Sequence, residues 1–116
     1  MPEPVTSQTV KSLSTLADEH VAAAKAASAG RSAQTVYGGR DHTLRQTLLA
    51  LAAGQGLDDH ESPGEATLLV VRGRVQLKSP SGTLDGATGD YFPIPDERHS
   101  LAALEDSAIL LTVVAK

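Results

Sequence analysis

The chain has 116 residues, 41% hydrophobic and 21% charged, which suits one folded domain with its own core and argues against disorder over its whole length. Its formal net charge is −4, its 10 Lys and Arg residues are scattered, and Tyr37, Tyr91 and Phe92 are its only Tyr, Phe or Trp residues. Such a chain has no basic stripe for phosphates and little to stack on bases, so nucleic acid is excluded as a partner. Cysteine is absent, which removes disulfides, thiolate metal sites and cysteine nucleophiles together. No apolar run approaches the roughly 20 residues of a membrane span. The opening M-P-E-P-V-T-S-Q-T-V lacks the basic and apolar regions of a secretory signal. The chain is therefore expected in the cytoplasm, without a membrane partner.

In chain order, residues 1–8 read as a loose polar lead. A helix is expected over 13–28. Ser12 or Ser14 can cap it, and Leu13, Leu16, His20, Ala24 and Ala27 recur at helical spacing. Residues 21–27 are rich in alanine, the best helix former, and Gly30 stands where a left-handed stop is wanted. The apolar stripe is mostly alanine, so this helix should lie on a surface rather than build a core. His20 then reads as a partly exposed helix residue, not a ligand.

From residue 32 the period changes. Residues 33–37 form a short strand ended by Gly38-Gly39. Residues 43–53 contain Leu and Ala that would also suit a helix. Their glycine flanks, and the alternation of Arg45 and Thr47 with Leu44, Gln46 and Leu48, assign them to strand. Residues 67–71 are apolar on both faces, and after Arg72-Gly73 the alternation over 74–77 reads as half-buried. Ser79-Pro80-Ser81-Gly82 is a turn cluster before a brief strand at 83–84, and residues 86–90 turn again. A strand at 91–94 contains Pro93, which suits a sheet edge. Residues 99–104 and 108–114 make a hairpin around Glu105-Asp106-Ser107. Short strands spaced by Gly, Pro and Ser turns signal an all-β sandwich or barrel. A lone small barrel buries only the inner faces of 67–71 and 109–114, so a homodimer is expected to cover the outer ones.

Two stretches organise the rest. Residues 54–73, G-Q-G-L-D-D-H-E-S-P-G-E-A-T-L-L-V-V-R-G, and residues 89–99, G-D-Y-F-P-I-P-D-E-R-H, each join a glycine-bounded turn to strand-like residues and a histidine. Together they resemble the two motifs of the cupin family. The first motif has the form G-x5-H-x-H-x3,4-E-x6-G, and Gly54, His60 and Gly73 match it. Ser62 stands at the place of the second histidine and Ala66 at that of the glutamate. Gly89, Pro95 and His99 match the second motif, with the Pro-to-His gap one residue shorter than usual. The resemblance spans about residues 44 to 114 and implies an all-β, double-stranded β-helix barrel (jelly roll, RmlC-like) with one N-terminal α-helix. Residues 1–31 would be the lead and helix, and 32–116 the barrel domain.

The resemblance also implies a metal-ligand set of which His60 and His99 are what remains. A divalent first-row metal wants about four donors, whereas Ser is a poor neutral ligand and Ala is none. Within the motif strand, positions 60, 62 and 66 share parity and therefore one face, so His60 and Ser62 should face a cavity with His99, with Glu65 outside. Glu65 would reach the pocket only through a β-bulge at Pro63-Gly64. His42 opens the preceding strand and is more simply a solvated strand-end residue. Asp58, Asp59 and Glu61 read as an acidic rim in a loop ahead of the strand. Arg45 and Gln46 alternate, so one of them faces inward, and a Gln there could hold a polar ligand group or satisfy a buried neighbour. His60 and His99 are equally readable as a structural pair hydrogen-bonded to each other, to Ser62 or to backbone. There is no G-x-S-x-G elbow, no phosphate-binding Gly-Lys-Ser/Thr loop and no H-E-x-x-H.

The expectation is a small cupin-like barrel whose mouth binds a small polar molecule at His60, Ser62, His99 and Gln46. No cofactor is expected on purification, and a divalent transition metal would be held weakly by His60 and His99. The alternatives are a metal-dependent oxygenase or isomerase completed by Glu65 or His42, and a partner protein with no site.

Overall fold

A computed structural model describes residues 10–115, and the polar lead expected at 1–8 lies outside them. Helix α1 (Leu13–Ala26) is followed by strands β1 (Arg31–Tyr37), β2 (Leu44–Leu51), β3 (Gly56–His60), β4 (Ala66–Arg72), β5 (Arg74–Ser79), β6 (Gly82–Ala87), β7 (Tyr91–Pro93), β8 (His99–Ala103) and β9 (Ser107–Val114). The strands form a 5-stranded sheet in the order β1-β2-β9-β4-β7 and a 4-stranded sheet in the order β3-β8-β5-β6. Every pairing within them is antiparallel. From β2 onward the chain passes repeatedly between the two sheets, which is the winding of a jelly roll.

Alternation explains the layers. On β4 Ala66, Leu68 and Val70 face inward, on β5 Val75 and Leu77, and on β8 Leu101 and Ala103. These side chains, with Leu51, Ile94 and Ile109, make the core between the sheets. The opposite face of the large sheet is also apolar, and α1 covers part of it. Ala17 and Ala24, both without exposed surface, pack on Leu48, Ala50 and Ala108. An alanine stripe is thin, and for that reason it lets the helix axis come close to the sheet. Ser12 caps α1 by accepting the Thr15 N–H at 3.2 Å, and Lys25 sits in the last turn, where the helix dipole favours a cation. His20 is partly exposed, as expected, and its ring bonds Ser32 Oγ at 2.7 Å and Gln34 Oε1 at 2.8 Å on β1.

Several element bounds shift from the expected ones. The helix ends at Ala26, residues 43–53 contract to β2, and the brief strand at 83–84 lengthens to Gly82–Ala87 through its pairing with β5. Two corrections are larger. Residues 99–104 and 108–114 are not a hairpin: β8 pairs within the small sheet and β9 within the large one, because the chain crosses between sheets at Glu105-Asp106. Asp58 and Asp59, read as a loop ahead of the strand, lie within β3 because β8 supplies a partner strand. Tertiary pairing overrides local preference there. Pro93 does lie on an edge, since β7 ends the large sheet.

Candidate functional site

His99 opens β8 on the inward parity shared by Leu101 and Ala103, and is 3% exposed. Its cross-strand partner is His60, the last residue of β3. The two rings meet edge to face, with centroids 4.5 Å apart and planes at 67°. His99 Nδ1 lies 2.8 Å from the Glu97 carbonyl oxygen, and His60 Nδ1 lies 2.8 Å from the Asp58 carbonyl oxygen. A carbonyl oxygen only accepts, so in the neutral form of each ring Nδ1 carries the proton and Nε2 the lone pair. No hydrogen bond occupies either Nε2 among the described residues. Both rings border a cavity of about 50 Å³ between the sheets, otherwise lined by apolar side chains such as Leu57, Pro63, Leu68 and Leu111.

The other expected site residues lie elsewhere. Positions 60, 62 and 66 do not share a strand: β3 ends at His60, β4 begins at Ala66, and the chain changes sheets between them. Strand parity therefore cannot align them. Ser62 is absent from the cavity lining, its hydroxyl accepting the Gly64 N–H at 3.1 Å within the crossing turn. Ala66 points into the core, and the Glu65 residue is exposed. Gln46 sits on the outer face of the large sheet, donating through Nε2 to Thr112 Oγ1 at 3.1 Å. It borders a wide, open groove of about 690 Å³ together with Lys11, Tyr37, His42 and Leu110. His42 stacks edge-on against Tyr37, with centroids 5.2 Å apart. The large sheet thus separates Gln46 and His42 from the His60–His99 pair.

Sequence reasoning missed Arg98. Its guanidinium donates through Nε to Asp59 Oδ2 at 2.9 Å, through Nη1 to Glu61 Oε2 at 2.7 Å and through Nη2 to the Asp59 carbonyl at 3.3 Å. Its hydrogen bonds to Glu61 and Asp59 raise its pKa above the ordinary arginine value. Two of the three acidic rim residues, Asp59 and Glu61, therefore bind the Arg98 guanidinium. The signal was present as opposite charges flanking the two histidines, D-H-E in one motif and E-R-H in the other. Nearby, Glu97 is held below its usual pKa by the hydroxyls of Ser81 and Ser79 and the Ser81 N–H, which fastens the β5–β6 turn beside the mouth.

Among the described residues, no group of 3 or more His, Cys, Asp or Glu side chains is placed to hold a metal ion. The Nε2 atoms of His60 and His99 are borderline donors that suit a first-row metal, but no carboxylate joins them from the cavity wall. A resident four-donor metal centre does not fit this set.

No protein-family model matches the sequence, and no curated protein does. Among solved structures, the chain is similar to a conserved protein of unknown function from Streptococcus pyogenes, with 27% identity, 78% of each chain covered and a TM-score of 0.67. It is similar to a cupin superfamily protein from Desulfitobacterium hafniense, with 16% identity, 74% of this chain and 78% of that one covered, and a TM-score of 0.66. It is also similar to the salicylate 1,2-dioxygenase of Pseudoaminobacter salicylatoxidans, with 19% identity and a TM-score of 0.70, over 86% of this chain but 32% of that one. The chain has the cupin fold. No helix among the described residues is long and apolar enough to cross a membrane.

Proposed function

We propose that the protein binds a small polar molecule at the barrel mouth, with the Nε2 atoms of His60 and His99 as paired acceptors. One observation carries this reading. Each Nδ1 proton is committed to a backbone carbonyl, which leaves the Nε2 lone pairs of two rings whose centroids are 4.5 Å apart, both bordering an apolar cavity. A cavity of about 50 Å³ admits one small end group and no more, so the rest of the ligand lies over the rim. The end group that fits is a hydrogen-bond donor on a compact apolar stem, such as an alcohol, amide or undissociated acid. A divalent metal would meet two imidazoles and water, and would bind weakly. The enzyme alternative requires further donors, and Glu65 and His42 do not border this cavity.

The test is ¹⁵N NMR of the histidine rings during titration with zinc chloride and with a panel of small alcohols, amides and acids. Both Nε2 resonances should move together, with zinc affinity no tighter than micromolar, and His99→Ala or His60→Ala should weaken binding at least tenfold. Elemental analysis of the purified protein should show little transition metal. Near-stoichiometric iron, manganese, nickel or zinc, lost in His60→Ala, would overturn the reading in favour of a resident metal centre.

We propose further that a second copy of the chain closes the half of the large sheet's outer face that α1 leaves open. On that face stand Leu44, Gln46, Thr67, Leu69, Leu110 and Tyr91, with Leu44 42% and Tyr91 61% exposed. None of these is charged, so two copies can meet about a two-fold axis without opposing like charges, although each chain carries a net −4. Light scattering should report twice the 12.0 kDa chain mass, and Leu110→Asp should return it to the single-chain value. A wild-type mass of 12.0 kDa would leave α1 as the sole cover.

A further inference from the structure

Strand β3 would turn His60 away from His99 if it were regular. Leu57 and His60 are three residues apart, and an odd separation puts two side chains on opposite faces of a strand. Leu57 faces the core, yet His60 borders the same cavity. The pairing with β8 shows how: Leu57 stands opposite Leu101 and His60 opposite His99, so β3 spends three steps where β8 spends two. The extra residue is a β-bulge at Asp58-Asp59, which reverses the parity and brings His60 inward.

A bulge breaks the ladder, and its carbonyl groups need other donors. Here the Asp58 carbonyl accepts from His60 Nδ1 at 2.8 Å, and the Asp59 carbonyl accepts from Arg98 Nη2 at 3.3 Å. The same guanidinium grips the Asp59 carboxylate by Nε and the Glu61 carboxylate by Nη1, on either side of His60. Arg98 itself immediately precedes His99. A planar fork with several fixed donors can hold a backbone carbonyl and two carboxylates at once, which a lysine point charge cannot.

We infer that Arg98 is a positioning residue that holds the Asp58-Asp59 bulge and so keeps His60 turned onto His99. Loss of the clamp allows β3 to slip by the extra residue into regular pairing, in which His60 faces solvent and the two rings no longer meet. The consequence for ligand binding rests on the proposed role of the histidine pair, but the effect on ring geometry does not.

Arg98→Gln and Arg98→Lys in the full chain test this, with Arg74→Gln as a control for loss of an exposed arginine. In wild type and Arg74→Gln, nuclear Overhauser effects between the two imidazoles and a Nδ1-protonated His60 are expected. In Arg98→Gln the inter-ring effects should vanish, His60 should populate both tautomers, and zinc affinity should fall about tenfold while the melting temperature stays within a few degrees. Arg98→Lys should recover little of the inter-ring signal, because the fork is what is missing. Intact inter-ring effects in Arg98→Gln would overturn the inference, whatever zinc does. If wild type does not bind zinc and the inter-ring effects still vanish in Arg98→Gln, the clamp stands and the binding reading fails.

Discussion

Gly73→Ala should lower the free energy of unfolding by about 3 kcal/mol or more, from backbone strain and overpacking combined. Gly73 joins β4 in the large sheet to β5 in the small one, at a φ of 92°. L-residues with a side chain avoid that region, and an added Cβ would stand 2.5 Å from the Asp106 carbonyl oxygen and closer still to Ser107 Oγ. Neither neighbour can give way cheaply. Ser107 is 1% exposed, and its hydroxyl accepts the Arg74 N–H at 3.0 Å while facing the carbonyls of Arg74 at 3.1 Å and Glu105 at 2.8 Å. The Gly73 N–H is itself used, donating to Thr88 Oγ1 at 2.9 Å. Against a total stability of about 5–15 kcal/mol for a domain of this size, such a loss is large. Urea unfolding should show the midpoint falling with little change in slope. A midpoint within error of wild type would mean that the β4–β5 corner opens without resistance, contrary to its bonding.

Much of this architecture was legible because it is written in short-range terms. Pro93 announced an edge, Gly38-Gly39 a turn, and the alternation over residues 74–77 a half-buried strand, and each depends on a few adjacent residues. The motif frame placed His60 and His99 in spacing that the fold uses. What stayed illegible depends on partners distant in sequence. Asp58 and Asp59 look like a loop until β8 lies beside β3. The distance of Ser62 from the histidine cavity follows from a change of sheet between His60 and Ala66, and periodicity counts residues without registering that change. Arg98 was one more scattered cation until the bulge brought Asp59 and Glu61 within reach of its fork. His60 borders the cavity through an irregular strand, not through the regular one that parity assumes. The bulge supplied the reversal.

The outer face of the large sheet gives a related lesson. Apolar residues on both faces of β4 and β9 implied a cover, and the alanine stripe of α1 seemed too thin to be one. In the structure the thinness is the fit: Ala17 and Ala24 bring the helix against Leu48, Ala50 and Ala108, while Asp18 pairs with Arg72 and His20 with Ser32 and Gln34. The exposed pair adds little to stability by itself. The covered alanines carry the contact, and the face left beyond them is where a second copy is proposed.

Leu68→Ala should cost about 2–5 kcal/mol and at the same time widen the histidine cavity. Leu68 is 1% exposed on β4, paired with Leu111 on one side and Phe92 on the other, and it forms part of the wall facing His60 and His99. Truncation there removes methyl groups from the middle of the larger sheet, where strands on both sides fix the backbone and prevent collapse. Leu57→Ala touches the same cavity from β3, an edge strand with a bulge, and that strand can relax inward. Its cost should be smaller, nearer about 1 kcal/mol, because a site that closes up leaves less void. Denaturant unfolding of the two variants side by side measures the difference. The same pair tests what sets ligand size. If the cavity of about 50 Å³ limits the end group that reaches the two Nε2 atoms, Leu68→Ala should accept alcohols or acids one or two carbons longer than wild type does, and Leu57→Ala should not. Equal costs for the two substitutions, with unchanged ligand length in both, would show that the wall moves as a unit and that the rim, not the cavity, selects what binds.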